Sequence, residues 1–176
     1  MKFIIKILIL ITRDITLFSL KGFRDIRNAL YRKYYNAPHI FVSEKVIMQP
    51  AHINKENYFV CKNKVNIGRG TYIDYSGGIL FGNMITISEN VCIFTHNHII
   101  HDGYKDWHKN SIVFSKLEIQ NYVWICACVI ILPSVTFIAE GSVIAAGAIL
   151  SKNTEPYGIY AGNPAIKIGT RRINEK

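Results

Sequence analysis

The sequence predicts an all-β fold, a parallel β-helix of stacked triangular coils. Three observations predict it: short triplets with apolar or small first and third residues, a spacing of six residues between triplets, and one long interruption rich in histidine. Period two within a triplet indicates a short strand, and the regular spacing indicates a tight corner after each strand. An α-helix is excluded because its period of about 3.6 residues drifts against six. A β-sandwich would show turn signals about every 8–12 residues.

The third residues of the triplets are predicted to point inward. They are Cys61, Ile67, Ile73, Phe81, Ile87, Ile93, Ile119, Ile125, Ile131, Ile138, Ile144 and Leu150. The step from Ile73 to Phe81 contains Gly77-Gly78, which predicts an insertion at a corner. The step of 26 residues from Ile93 to Ile119 predicts an extruded loop.

Three segments follow from this pattern. Residues 1–40 are predicted to be a basic amphipathic helical segment. Residues 41–155 are predicted to be the β-helix, with an extruded loop at about 96–116, and residues 156–176 a C-terminal tail. Within the β-helix, residues 41–60 are interpreted as degenerate early coils that contain Ile47, Ile53 and Phe59.

The first 40 residues carry most of the charge. They contain eight Lys or Arg and two acids, so +6 of the net +9 lies there. The remainder is only mildly basic, which argues against a nucleic-acid partner. Lys6, Arg13 and Asp14 interrupt the apolar stretch, so no membrane span is expected.

One face of the predicted first helix is apolar, and its members are Ile4, Leu8, Ile11, Ile15 and Phe18. Two interpretations stay open. The helix could lie on an anionic membrane surface, or it could pack on the domain or on a neighbouring subunit. No small-residue signal cleavage site is evident. The chain is therefore expected to be cytoplasmic, with contact to the inner face of the membrane as one of the open interpretations.

The four cysteines do not form a zinc or redox motif. Cys126 and Cys128 are separated by one residue, whereas such motifs need two. Cys61 and Cys92 are isolated in the sequence. Reduced thiols are expected, as in cytosolic proteins.

The interruption after Ile93 contains four of the six histidines: His96, His98, His101 and His108. Long loops in regular scaffolds tend to be functional, and imidazole is suited to proton transfer near neutral pH. Three histidines can bind zinc, and the spacing His96-x-His98-x-x-His101 could place three imidazoles near one another. Ligands in a β-helix would come from separate stacked coils, whereas these histidines share one loop, so no metal is expected.

The repeats, Thr95-His96-Asn97-His98, Val123-Trp124-Ile125 and the tail Tyr160-Ala161-Gly162-Asn163-Pro164-Ala165 together resemble the hexapeptide-repeat acetyltransferases. The similarity is greatest to the sugar O-acetyltransferases of the maltose and galactoside types and of polysaccharide clusters, over roughly residues 60–170. The resemblance implies a left-handed coil, a homotrimer, acetyl-CoA as the acyl donor, and active sites between subunits.

The same resemblance implies roles for particular residues. His98 matches the catalytic base, with His96 as the alternative, and the backbone N–H of Ala127 matches the oxyanion donor. Asp74 and Trp124 match acceptor-binding positions. Candidate CoA-binding residues are Ala145, Lys152, Gly162, Asn163, Pro164, Lys167 and Arg171.

The chain departs from the family pattern at three corners, where Cys126, Ala139 and Ala145 replace glycine. If the corner at Cys126 requires positive φ, a Cβ would strain it. The three substitutions could instead indicate a weakened enzyme. The predicted activity is O-acetylation of a sugar hydroxyl on a surface polysaccharide or its precursor. Two alternatives stay open: N-acetylation of an amino sugar or another small acceptor, and a non-catalytic trimeric scaffold.

Overall fold

The computed structural model describes residues 1–101 and 103–174 and confirms the predicted coils; the last two residues of the expected tail lie outside the described residues. Two α-helices, α1 (Lys2–Asp14) and α2 (Phe23–Tyr35), precede the strands. The strands are β1 (Ile40–Val42), β2 (Ile47–Gln49), β3 (Phe59–Ile67), β4 (Tyr72–Asp74), β5 (Ile79–Ile87), β6 (Cys92–Ile93), β7 (His96–His98), β8 (Ile112–Phe114), β9 (Leu117–Ile119), β10 (Trp124–Ile125), β11 (Ile130–Ile131), β12 (Phe137–Ile138), β13 (Val143–Ile144), β14 (Ile149–Leu150), β15 (Gly158–Gly162) and β16 (Ala165–Thr170). Short 3₁₀ helices lie at Thr16–Ser19 and Trp107–Lys109.

The strands stack in parallel on three faces. The first face holds β1, the second halves of β3 and β5, then β10, β13 and β15. The second face holds β2, β4, β6, β11 and β14. The third face holds the first halves of β3 and β5, then β9 and β12. Each coil therefore pairs its backbone groups with the coils above and below.

The core is a column of the predicted inward residues. Eleven of the twelve third positions are buried, and Cys61 is partly buried. First positions of the triplets, such as Val65, Ile79 and Val91, are buried as well. Alternation within each short strand therefore sends two side chains inward and one outward, as the sequence predicts.

The corner between the first and second faces, here the first corner, repeats almost identically. Its left-handed residues are Lys45, Gly70, Asn90, Cys128 and Gly147, with φ between 55° and 71°. Cys126, Ala139 and Ala145 are not among the residues with positive φ. The strain expected at Cys126 is therefore absent, because the left-handed residue of its corner, Cys128, lies two residues farther along the chain.

The first coil departs from its predicted register. Ile53 is 97% exposed and lies in a loop, whereas Val42 and Met48 are buried in the core. The register is shifted because Pro50 follows β2 directly and the chain then leaves the coil until Phe59. At the other end, β15 pairs in parallel with β13, so the stack continues beyond residue 155.

Helix α2 covers the open end of the stack. Arg27 Nε donates to the Val42 carbonyl at 3.2 Å, and the Val42 N–H donates to Asn28 Oδ1 at 2.6 Å. Tyr31 Oη donates to the Val46 carbonyl at 3.3 Å. These bonds satisfy an edge that would otherwise be free to pair with another chain.

Helix α1 buries a different face from the predicted one. Ile5 and Ile9 are buried, whereas Ile4, Leu8 and Ile11 remain exposed. An apolar face thus stays open on the surface. Among the described residues, no helix combines the length and the apolar character needed to cross a bilayer.

Candidate active site at the second corner

The corner between the second and third faces, here the second corner, carries a buried carboxylate. Asp74, at the end of β4, is completely buried. Its Oδ1 accepts hydrogen bonds from the N–H groups of Ala51 at 3.0 Å and Ser76 at 2.9 Å, and from Ser76 Oγ. Its Oδ2 accepts from the Thr95 N–H at 3.1 Å and lies 2.7 Å from His96 Nδ1. Asp74 therefore joins the second corners of three successive coils.

The ionised form of Asp74 is strongly favoured. Burial acts to raise the pKa of this carboxyl, but the hydrogen bonds from Ser76, His96 and Ala51 outweigh burial and lower the pKa to about 2. Because both oxygens are occupied and buried, they offer no free contact to a sugar. Asp74 is therefore not free to make the expected contact with the acceptor, and it positions His96 instead.

Three imidazoles meet beside this carboxylate. The ring centroid of His52 lies 4.4 Å from that of His96 and 5.2 Å from that of His98. The backbone N–H of His52 donates to Ser76 Oγ at 3.0 Å. This bond holds the loop that contains His52 against the corner at Asp74. Burial, and then the neighbouring His96 and His98, lower the pKa of His52. Its neutral form is thus favoured.

Sequence reasoning missed His52 because the first coil was placed in the wrong register. The pairing of Gln49 with Asp74 brings the residues after β2 beside those after β4. A signal was available, since His52 follows the end of a strand by three residues, as His96 follows Ile93.

His98 ends β7, which forms an antiparallel hairpin with β8 in the extruded loop. It lines a cleft of about 350 Å³ together with Val113, Pro133 and Ser134. Its ring is edge-on to Trp107 at 5.7 Å. Within the described part of the chain, its buried Nδ1 has no hydrogen-bond partner. A histidine held in this way at a cleft can act on a bound molecule.

Ala127 and Trp124, which were matched to the oxyanion and acceptor sites, lie elsewhere on the coil. Ala127 is at the first corner of the fourth coil, whereas His98 is at the second corner of the third. Trp124 is half-exposed and donates from Nε1 to Ser88 Oγ at 3.2 Å. Burial raises the pKa of the Cys126 thiol, so this group is not an activated nucleophile.

The candidate CoA residues fall into separate groups. Lys152, Pro164 and Lys167 line one cleft of about 300 Å³. The Lys167 ammonium is paired with Glu155. Gly162 ends β15, and Asn163 and Pro164 form the turn between β15 and β16. Ala145 lies at a first corner, and Arg171 donates to the Tyr122 carbonyl at 3.3 Å; neither lines this cleft.

No protein-family model matches the chain. Over 123 residues, 68% of the chain, it is 35% identical to a galactoside O-acetyltransferase of Escherichia coli, and the match spans 59% of that relative. A maltose O-acetyltransferase of Clostridium difficile has the same fold, with a TM-score of 0.68 and 19% identity over 98% of this chain and 87% of that chain. AntD, an N-acyltransferase of Bacillus cereus, superposes with a TM-score of 0.64 and 18% identity over 77% and 71% of the two chains. The fold is therefore the left-handed β-helix of these acyltransferases.

Proposed function

We propose that the chain is a hexapeptide-repeat acetyltransferase that transfers the acetyl group of acetyl-CoA to a hydroxyl group of a sugar. The observation that carries the proposal is His98, which lines a cleft at the second corner and lies beside the Asp74–His96 pair. The similarity to a galactoside O-acetyltransferase favours a sugar acceptor. A bacterial surface polysaccharide or its precursor is the acceptor we propose.

In the proposed reaction His98 is the general base. It takes the proton of the acceptor hydroxyl as that oxygen attacks the thioester carbonyl. The tetrahedral oxyanion accepts a hydrogen bond from the Ala127 N–H. The intermediate then collapses: the carbon–sulfur bond breaks, and the leaving thiolate takes the proton from the imidazolium to give free CoA. No acyl-enzyme is needed, because CoA already supplies an activated acyl group.

The proposed donor site lies at the C-terminal coils. The cleft lined by Lys152, Pro164 and Lys167 offers two cations for the phosphates of CoA. Lys167 would have to leave Glu155 to bind a phosphate. Lys152 is therefore the stronger candidate of the two.

A homotrimer is part of the proposal. His98 and Ala127 lie at different corners of one chain, so a site that uses both requires two neighbouring chains. Sedimentation should give about three times the chain mass of 20.1 kDa. A fully active monomer would contradict an intersubunit site.

The activity test is release of free thiol from acetyl-CoA across a panel of galactosides, maltose and amino sugars. His98→Ala should lower kcat by about 10²–10⁴-fold, because an alcohol is a poor nucleophile without a base. The matched control is His108→Ala, since His108 is exposed in the same loop and pairs with Asp106. Full turnover in His98→Ala with loss in His96→Ala would make His96 the base. Transfer to amino sugars alone would favour N-acetylation, for which the AntD fold gives the precedent.

The exposed face of α1 is proposed to lie on an anionic membrane. Ile4, Leu8 and Ile11 are exposed beside Lys2 and Lys6, which is the composition of an interfacial helix. The chain should co-sediment with phosphatidylglycerol vesicles more than with phosphatidylcholine vesicles.

Leu8→Glu should abolish this co-sedimentation, whereas Ile53→Glu should not, because Ile53 is exposed far along the chain in a separate loop. Equal binding of the wild type and Leu8→Glu would contradict the membrane contact.

A further inference from the structure

We infer that His52, His96 and His98 together bind one divalent transition-metal ion, for which Zn²⁺ is the best fit. One ring nitrogen from each histidine can be chosen such that all three lie within 4.8 Å of one another. Three neutral imidazoles with a fourth position open to water form a common zinc site. The ion would be an inhibitory ligand of the protein.

The three ligands come from two coils. His52 follows β2 in the first coil, whereas His96 and His98 follow β6 in the third. The histidines after Ile93 share one loop, and for this reason the sequence predicts no metal. The first coil supplies the ligand that was missing, because its loop returns to the same corner through the bond from the His52 N–H to Ser76.

Asp74 supplies the outer support that metal-binding histidines commonly have. It holds Nδ1 of His96 at 2.7 Å, so a proton on Nδ1 leaves Nε2 with a lone pair for the ion. The carboxylate is buried, and its contact with Nδ1 fixes the orientation of the His96 ring. This geometry is the carboxylate–histidine–metal arrangement.

Only small movements would complete the site. Zinc–nitrogen bonds of about 2.0–2.1 Å place tetrahedral ligand atoms about 3.3 Å apart, so the set of ring nitrogens that lies within 4.8 Å must converge by roughly 1.5 Å at most. Coordination through the buried Nδ1 of His98 would give this nitrogen the partner that it lacks among the described residues.

The consequence for activity rests on the proposed function. A His98 bound to Zn²⁺ cannot accept a proton from an acceptor hydroxyl. Zinc should therefore inhibit acetyl transfer reversibly, and a chelator should restore it.

The test is equilibrium dialysis of the full chain, without a polyhistidine tag, against ZnCl₂. The wild type should bind one Zn²⁺ per chain. His52→Ala should weaken binding at least about tenfold, and His108→Ala should leave it unchanged. His52→Ala should also need at least tenfold more ZnCl₂ for half-inhibition, with each variant normalised to its own metal-free activity.

Absence of stoichiometric binding by the wild type would overturn the metal site, and so would equal affinity in His52→Ala. Binding that depends on His52, in a chain with no acetyl transfer at all, would support the metal site and remove the proposed function. Zinc binding without inhibition would retain the site and refute His98 as the base.

Discussion

The first and second corners of the coil differ in what they hold. First corners are short and repeat one backbone conformation, with a left-handed residue at the same place in each coil. Second corners differ in length from coil to coil, and they carry His52, Asp74, His96 and His98. Repetition therefore stabilises the stack, and the departures from repetition bring polar side chains of distant sequence together. Changes at the two corners should have different effects.

The largest loss of stability is expected at Asp74, the centre of the second corners. Asp74→Ala would leave the buried N–H groups of Ser76 and Thr95 and the partly buried N–H of Ala51 without their acceptor, at a cost of about 3 kcal/mol or more in the free energy of unfolding. Urea unfolding measures this loss. A change under 1 kcal/mol would show that the three coils are joined by other contacts.

The same residue predicts a pH dependence. The pKa of Asp74 is about 2 in the folded chain, against 3.8 ordinarily. Its contribution of about 2 kcal/mol is therefore complete above roughly pH 5 and is lost as the pH falls toward 2. Asp74→Asn should show a shallower fall of the unfolding free energy over this range, and equal slopes would contradict the assignment.

A matched pair of glycine substitutions compares the two corners directly. At the second corner, a Cβ on Gly77 would lie 2.1 Å from the Ser115 carbonyl oxygen, so backbone must move. At the first corner, a Cβ on Gly147 would meet nothing within 4 Å, and only its φ of +71° opposes a side chain. Gly77→Ala should cost about 3 kcal/mol and Gly147→Ala about 1 kcal/mol, measured by urea unfolding. The reverse order would refute the comparison.

The smallest effect is a gain in stability. Cys128 has a φ of 60° at a first corner, where glycine avoids the cost of a Cβ. Cys128→Gly should raise the free energy of unfolding by about 0.5 kcal/mol, since the greater freedom of unfolded glycine offsets part of the gain. Cys126→Gly is the control and should not stabilise, because Cys126 is not left-handed. Equal gains in the free energy of unfolding for the two variants would show that Cys126 is strained as well.

The sequence was sufficient for the coils, because an inward residue repeats wherever the core accepts only apolar side chains. Gly77-Gly78 and the loop after Ile93 could also be located, since both interrupt the repeat. The cluster formed by Asp74 and the three histidines could not be predicted. His52 lies in a coil whose register is masked by Pro50, and the Asp74–His96 contact depends on stacking between coils.

The buried face of α1 could not be predicted either. Periodicity identifies an apolar face, and here the helix has apolar residues on two faces. The one that packs contains Ile5 and Ile9, whereas the one with Ile4 and Leu8 is exposed. Which face is buried depends on the shape of α2 and the first coil, which local pattern does not encode.

The most direct test of the difference between the corners is to measure acetyl-CoA turnover and the unfolding temperature together for His98→Ala and Cys128→Gly. His98→Ala should lose about 10²-fold or more in turnover with an unchanged unfolding temperature. Cys128→Gly should unfold at a higher temperature and keep wild-type turnover. Wild-type turnover in His98→Ala would contradict proton transfer at the second corner, and loss of turnover or an unchanged unfolding temperature in Cys128→Gly would contradict a strain at the first corner that is separate from the chemistry.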